Sequence, residues 1–253
     1  MIHIEHFTFN SFQTNSFILW DESGKCAIAD PGCSSEAELS RLTGFIADKG
    51  LEPVCILLTH CHFDHVYGMA ALAREYEIPV YADMDEMYSL QVTNAKLCGQ
   101  FGFPMPDEFP IIRTSSDVHH PAKAIFVQDG DTIDVGNLRF EVIQTPGHSK
   151  GGLCFLERNE KVLLSGDTLF DEALFSPQMA NLTDILICIN GKLGNMNCSE
   201  AIECVRRLAP RRALPMHIGL FAANTADPAE FVDACCAMGI DSFAMSDGVE
   251  FEL

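Results

Sequence analysis

The chain reads as an α/β protein because short apolar runs of strand length alternate with longer stretches of helical period. Nine runs, FILW, KCAIAD, VCILLTH, IPVYA, RFEVIQT, GGLCFLE, KVLLSGD, DILICIN and ALPMH, look like buried or half-buried strands. Between two of them, Ser35 to Lys49 places Leu39, Leu42, Phe45 and Ile46 on one face and stops at Gly50, the pattern of a helix of about four turns. A second helix is predicted near the end of the chain. Pro228 follows Asp227 at a first-turn position, and Gly239 comes after the apolar positions Phe231, Val232, Cys235 and Met238. Residues 84 to 125 mix Pro, Phe and polar residues without a clear period and are expected to form a long surface excursion. No linker, low-complexity segment or short repeat breaks the chain, so one domain spanning 1–253 is expected.

Composition removes several classes of function. The 253 residues carry a formal charge of −20, which argues against nucleic acid and anionic membranes as partners. With 47% hydrophobic and 21% charged residues the chain can bury a sizeable core, which excludes intrinsic disorder. Its longest apolar runs, such as Val54 to Leu58, fall far short of the roughly 20 residues a spanning helix needs. The start, MIHIEHFTFNSF, has no basic region followed by a long apolar stretch, and the eleven Cys are irregularly spaced. Both features lead us to expect a cytoplasmic protein with reduced thiols. Oligomeric state is not legible.

The chemistry concentrates directly after the strand-like CILLT, where His60-Cys61-His62-Phe63-Asp64-His65 sets three imidazoles and a carboxylate within six residues. Chance would produce H-x-H-x-D-H on the order of once in a thousand such sequences. Imidazole and carboxylate suit Zn²⁺ and other borderline divalent ions. In an extended segment alternate side chains share a side, so His60 and His62 can grip one ion. A helix starting near Asp64 would project Asp64 and His65 toward a second. Further ligands should emerge at the ends of other strands. The candidates are His148 in TPGHSKGG, Asp167 at the end of KVLLSGD and His217 at the end of ALPMH.

In this order THCHFDH, TPGHSKGG, LLSGDTLF and LPMH resemble the four metal motifs of the metallo-β-lactamase superfamily, and the upstream IADPG with Asp30 resembles its first motif. THxHxDH, TPGH and GDTLF look most like its glyoxalase II-like hydrolases. The resemblance implies a four-layer αββα sandwich, two mixed sheets flanked by helices and built as two similar halves. It also implies that His60, His62 and His148 hold one metal, that Asp64, His65 and His217 hold another, and that Asp167 bridges them. Two divalent ions are implied, with Zn as the first choice and Fe or Mn as alternatives. Asp64 and Asp167 would be the catalytic carboxylates. The implied activity is hydrolysis of a small thioester, ester or lactone by a hydroxide shared between the metals.

Departures from relatives narrow this. Members that hydrolyse β-lactams usually carry other residues at the positions of His65 and Asp167. The flavodiiron proteins place Glu where this chain has His62. The glutathione-specific thioesterases have a basic, Gly-rich loop after GDTLF and a C-terminal helical domain. Here GDTLF runs into DEALFSPQ and 36 residues follow His217, so a glutathione thioester is not the expected substrate. The alternatives are a single-iron enzyme resembling the persulfide dioxygenases, using His60, His148 and Asp167, and a lactonase of sugar acid phosphates, which DILICINGKLGNMNCSEAIECVRRLAP resembles faintly. Specificity is expected to reside in residues 84 to 125 and in the loop after Asp167.

Other residues carry simpler expectations. Asp30 should accept a hydrogen bond from a ligand imidazole rather than merely cap a turn. Cys61 and the pair Cys235-Cys236 should be packed side chains. His119 and His120 should be solvated. Phe101 and Phe103 should pin their loop to the body.

Overall fold

The computed structural model describes residues 1–101, 124–146, 148–167, 184–189, 197–216, 227–244 and 251–252. In chain order these form β1 (His3–Phe9), β2 (Thr14–Trp20), β3 (Lys25–Ala29), α1 (Glu36–Lys49), β4 (Glu52–Leu57), α2 (Phe63–Val66), α3 (Met69–Glu75), β5 (Val80–Ala82), α4 (Met84–Phe101) and β6 (Ala124–Phe126). The chain continues with β7 (Thr132–Val135), β8 (Leu138–Gln144), β9 (Leu153–Glu157), β10 (Val162–Leu164), β11 (Asp184–Cys188), α5 (Cys198–Leu208), β12 (Arg212–Met216), α6 (Pro228–Ala237) and β13 (Phe251–Glu252). All nine strand-like runs fall on strands.

The strands make two mixed sheets, in the orders β13-β1-β2-β3-β4-β5-β6 and β12-β11-β10-β9-β8-β7. Each half of the chain follows one plan. Antiparallel neighbours come first, β1-β2-β3 in one sheet and β7-β8-β9-β10 in the other. Parallel strands then extend the sheet, β3-β4-β5-β6 and β10-β11-β12.

Strand periodicity builds the layers. Along β2, Phe17 and Leu19 face the second sheet while Ile18 and Trp20 face the helices. On β4 and its extension, Cys55 and Leu57 point one way and Ile56 and Leu58 the other. In the second sheet, Leu153 and Phe155 of β9 and Val162 and Leu164 of β10 meet the first sheet, whereas Cys154, Leu156 and Leu163 turn toward α5 and α6. Both faces of these central strands are thus apolar, so they read as continuous runs. Three packed interiors separate four layers, giving the αββα sandwich. The Leu153 amide donates to the Thr59 carbonyl at 2.7 Å, joining the two sheets through their main chains at one rim.

α1 matches its sequence signals. Ser35 caps it, with its side chain accepting from the Glu38 amide, and Leu42 and Ile46 face inward. Gly50 ends it in the left-handed region at φ 64°, where a Cβ would be strained, and its amide donates to the Ala47 carbonyl. Burying Leu42 and Ile46 contributes roughly 1.5–3 kcal/mol each. α6 likewise starts at Pro228, is capped by Asp227, and buries Phe231 and Cys235. Cys236 corrects the expectation for its pair, because it is exposed on the outer face of the helix.

A larger correction concerns residues 84–101. They form α4, the longest helix among the described residues, rather than part of a surface excursion. Leu90 and Cys98 pack into the core, with Met87 beside them, at helical spacing. The period was hidden because Glu86 and Asn94, both polar, are also buried. Residues 102–123 lie outside the described residues. Among the described residues no helix is long and apolar enough to cross a membrane.

Candidate metal centre

The site assembles where strands run out. Asp30 directly follows β3, Thr59 and His60 follow β4, Asp167 follows β10, and His148 sits in the turn joining β8 to β9. His62 precedes α2 with an extended backbone (φ −66°, ψ 146°), so the chain passes from extended to helical within THCHFDH. That switch turns Asp64 and His65, in the first turn of α2, toward the group already containing His60 and His62.

Six of the seven sequence candidates converge. The ligating atoms of His60, His62 and His148 lie within 4.8 Å of one another, and so do those of His60, His65 and Asp167. His62 Nδ1 and His148 Nε2 are 2.8 Å apart. Asp167 faces both groups, with Oδ1 at 3.5 Å from His65 Nε2 and Oδ2 at 3.6 Å from His148 Nε2. Asp64 Oδ2 lies 3.5 Å from His65 Nε2 and accepts from Thr14 Oγ1 at 2.7 Å. His60 belongs to both groups, whereas the motif resemblance assigns it to one; its ring lies 4.2 Å from that of His65, centroid to centroid. His217, His119, His120 and Phe103 lie outside the described residues, as does the side chain of Phe101.

The electrostatics favour bare nitrogen donors. Burial, reinforced by His65, His62 and His148, pushes the His60 imidazole well below the ordinary histidine range. Burial also lowers His62 and, against the pull of Asp167, brings His148 down to about 4. At neutral pH these rings therefore keep the lone pairs that coordination requires. His65 moves the other way. Burial opposes its protonation, but Asp64, Asp167 and Asp30 outweigh it and hold the group well above its usual value.

The donor set fits divalent metal. His60 Nε2 is buried without a hydrogen-bond partner, an arrangement that costs free energy unless something accepts its lone pair. Donors around a tetrahedral zinc at about 2.0 Å would stand roughly 3.3 Å apart, close to the spacings here. The centre is also braced from behind. Asp30 lies 3.2 Å from His65 Nδ1 and accepts from the Thr59 amide (2.8 Å) and hydroxyl (2.6 Å). Thr59 Oγ1 in turn stands 3.1 Å from His60 Nδ1. Asp30 thus lies against one imidazole of the cluster while its oxygens accept from Thr59. Cys61 is packed in the core, as expected, with burial holding its thiol well above the ordinary range.

Sequence reasoning missed four contributors. Thr59, Thr14, Asn10 and Glu86 all touch the motif loops, Asn10 by donating to the carbonyls of Gly32 (2.9 Å) and Asp64 (3.0 Å). Of these only Thr59, adjoining His60, stood in a motif.

Comparison with known proteins agrees with this geometry. The family model described as the metallo-β-lactamase superfamily matches residues 10–195. The probable metallo-hydrolase YqgX of Bacillus subtilis is 30% identical over 183 residues, covering 72% of this chain and 79% of that protein. The hydroxyacylglutathione hydrolase GloC of Haemophilus influenzae is 30% identical over 169 residues, covering 67% and 73%. Among solved structures, the metallo-β-lactamase fold protein YhfI of Bacillus subtilis superposes with a TM-score of 0.71 at 15% identity, over 99% of this chain and 98% of that one, a likeness of fold. With strand-end imidazoles and carboxylates in a sandwich of this topology, the chain belongs to the metallo-β-lactamase superfamily of metal-dependent hydrolases.

Proposed function

We propose that the protein is a dinuclear hydrolase of small thioesters, esters or lactones, built as one domain over residues 1–253. The observation that carries this reading is the position of Asp167, which turns one carboxylate oxygen toward His148 and the other toward His65. His60, His62 and His148 would hold one ion, Asp64, His65 and His217 the other, and Asp167 both. Two Zn²⁺ ions suit the donors, with Fe or Mn as alternatives. When bound, such cations supply Lewis acidity and ionise water near neutral pH.

The chain's own residues supply orientation. Asp64 Oδ2, fixed by the Thr14 hydroxyl, offers a carboxylate oxygen able to orient water for attack. Asp30 and Thr59 stop His65 and His60 from rotating. The charge of −20 disfavours polyanionic substrates, which supports a small molecule. The relative GloC supports the thioester class.

Metal-stripped protein reloaded with Zn²⁺ is expected to retain two ions per chain and to release thiol or alcohol from a panel of small thioesters, esters and lactones. Asp167→Ala should retain fewer than two ions and lose turnover. Unchanged metal content and rate in that variant would defeat the assignment, and one tightly held iron with thiol-dependent oxygen uptake would replace hydrolysis by a dioxygenase reaction.

A further inference from the structure

α4 reaches the centre although it carries none of the motif residues. Glu86, in its first turn, is 5% exposed, and its two carboxylate oxygens go to different loops. Oε2 accepts from the Cys61 amide at 3.1 Å, between His60 and His62, and Oε1 accepts from the Gly151 amide at 2.8 Å, three residues after His148. Two turns further along, the fully buried Asn94 donates from Nδ2 to the Cys61 carbonyl at 3.0 Å. The peptide groups on both sides of Cys61 are therefore held by one helix.

The surroundings support the same geometry. Asp83 Oδ1 accepts from the Asp85 amide at 2.7 Å and so caps α4, while Asp83 Oδ2 accepts from Gln144 at 3.2 Å. This fixes the helix start against the end of β8. Gly151 must lack a side chain, since a Cβ there would collide with Asp83 Oδ1 and stand 2.8 Å from Glu86 Cγ. A carboxylate is the group that suits this place. It accepts on both oxygens, whereas the amide of Gln would turn a donor toward one of the two N–H groups.

We propose that Glu86 is a positioning residue that ties the His60/His62 loop to the His148 loop and thereby sets the spacing of the three imidazoles that receive a metal. Its role is to hold the two loops, through the Cys61 and Gly151 amides. This inference rests on the proposed metal centre and deepens it, because it assigns the registration of two ligand-bearing loops to one buried carboxylate.

The test uses the full chain, stripped of metal and titrated with Co²⁺ against a chelator, following the visible absorption of the bound ion. Wild type, Glu86→Gln, Gly151→Ala and His148→Ala are compared with Leu42→Ala, which destabilises the sheet-helix core away from the centre. We expect Glu86→Gln and Gly151→Ala to bind Co²⁺ on the order of tenfold more weakly than wild type, with an altered absorption band. We expect Leu42→Ala to keep wild-type affinity and spectrum at equal or lower urea stability. Wild-type affinity and spectrum in Glu86→Gln would overturn the proposal, as would an equal loss in Leu42→Ala, which would reduce the effect to general stability. If wild type itself bound no Co²⁺, or if His148→Ala bound it as wild type does, the metal centre on which the inference rests would be the part that fails.

Discussion

Gly166, one residue before Asp167, offers a direct test of how tightly the centre is braced. Its φ of 52° is left-handed, a region that costs a residue with a Cβ about 1–2 kcal/mol. A Cβ there would also run into Thr59 Oγ1 and stand 2.5 Å from Thr59 Cβ and 3.0 Å from Cγ2. Thr59 cannot retreat without disturbing Asp30, so overpacking adds roughly 1–3 kcal/mol. Gly166→Ala should therefore lose about 2–5 kcal/mol, lowering Tm by about 4–20 °C for a chain of this size. Gly44, in the middle of α1 with nothing within 4 Å of a Cβ, is the control. Gly44→Ala should gain roughly 0.5–1 kcal/mol. Urea unfolding of the metal-free proteins measures both, and the Gly166 variant should also hold metal more weakly because Thr59 and Asp30 shift together. A Gly166→Ala protein as stable as wild type would refute the reasoning, as would a Gly44→Ala protein destabilised to the same degree.

Two other expectations follow from the titrating groups. In the metal-free protein His60, His62 and His148 are depressed below the ordinary histidine value near 6.5, so the stability they leave intact above that pH is lost as pH falls toward 4. His148 alone accounts for about 3 kcal/mol of that loss. The elevated His65 stabilises fully below pH 6.5 and less as pH rises through its folded value, so urea midpoints of metal-free protein should peak near pH 6.5; a midpoint still rising toward pH 5 would contradict the assignment. Burial lifts the thiols of Cys26, Cys33 and Cys154 to about 12, whereas Cys236 is exposed. Cys236→Ser should remove one rapidly reacting thiol per chain from the native protein's response to Ellman's reagent, and an unchanged fast titre would count against the outward orientation of that side chain.

Much of the fold was legible because its central strands are buried on both faces, so runs such as CILL and KVLL stand out whatever surrounds them. β1 was not identified. It buries Ile4 against the second sheet and Phe7 and Phe9 against the helices, but also buries Glu5 and His6, and those polar residues mask its alternation. β6, with three residues, is too short to carry a period. α4 was concealed because two inward positions hold Glu86 and Asn94, which pair with main-chain groups of a distant loop rather than with apolar neighbours. The same reason separates the two kinds of site residue. Imidazoles and carboxylates clustered at strand ends announce themselves by chemical type. Thr14, Asn10 and Glu86 act through partners 22 to 65 positions away, and such pairings exist only once the sheets have packed.

The main-chain bond from Leu153 to Thr59 lies at the rim where the imidazoles stand. It staples the sandwich there, and at the opposite rim the Asn137 amide, in the turn between β7 and β8, donates to Asp21 Oδ2, in the turn between β2 and β3, at 2.9 Å. A sandwich tied at both ends resists sliding of one sheet over the other, so ligand-bearing loops that belong to different sheets keep their offset.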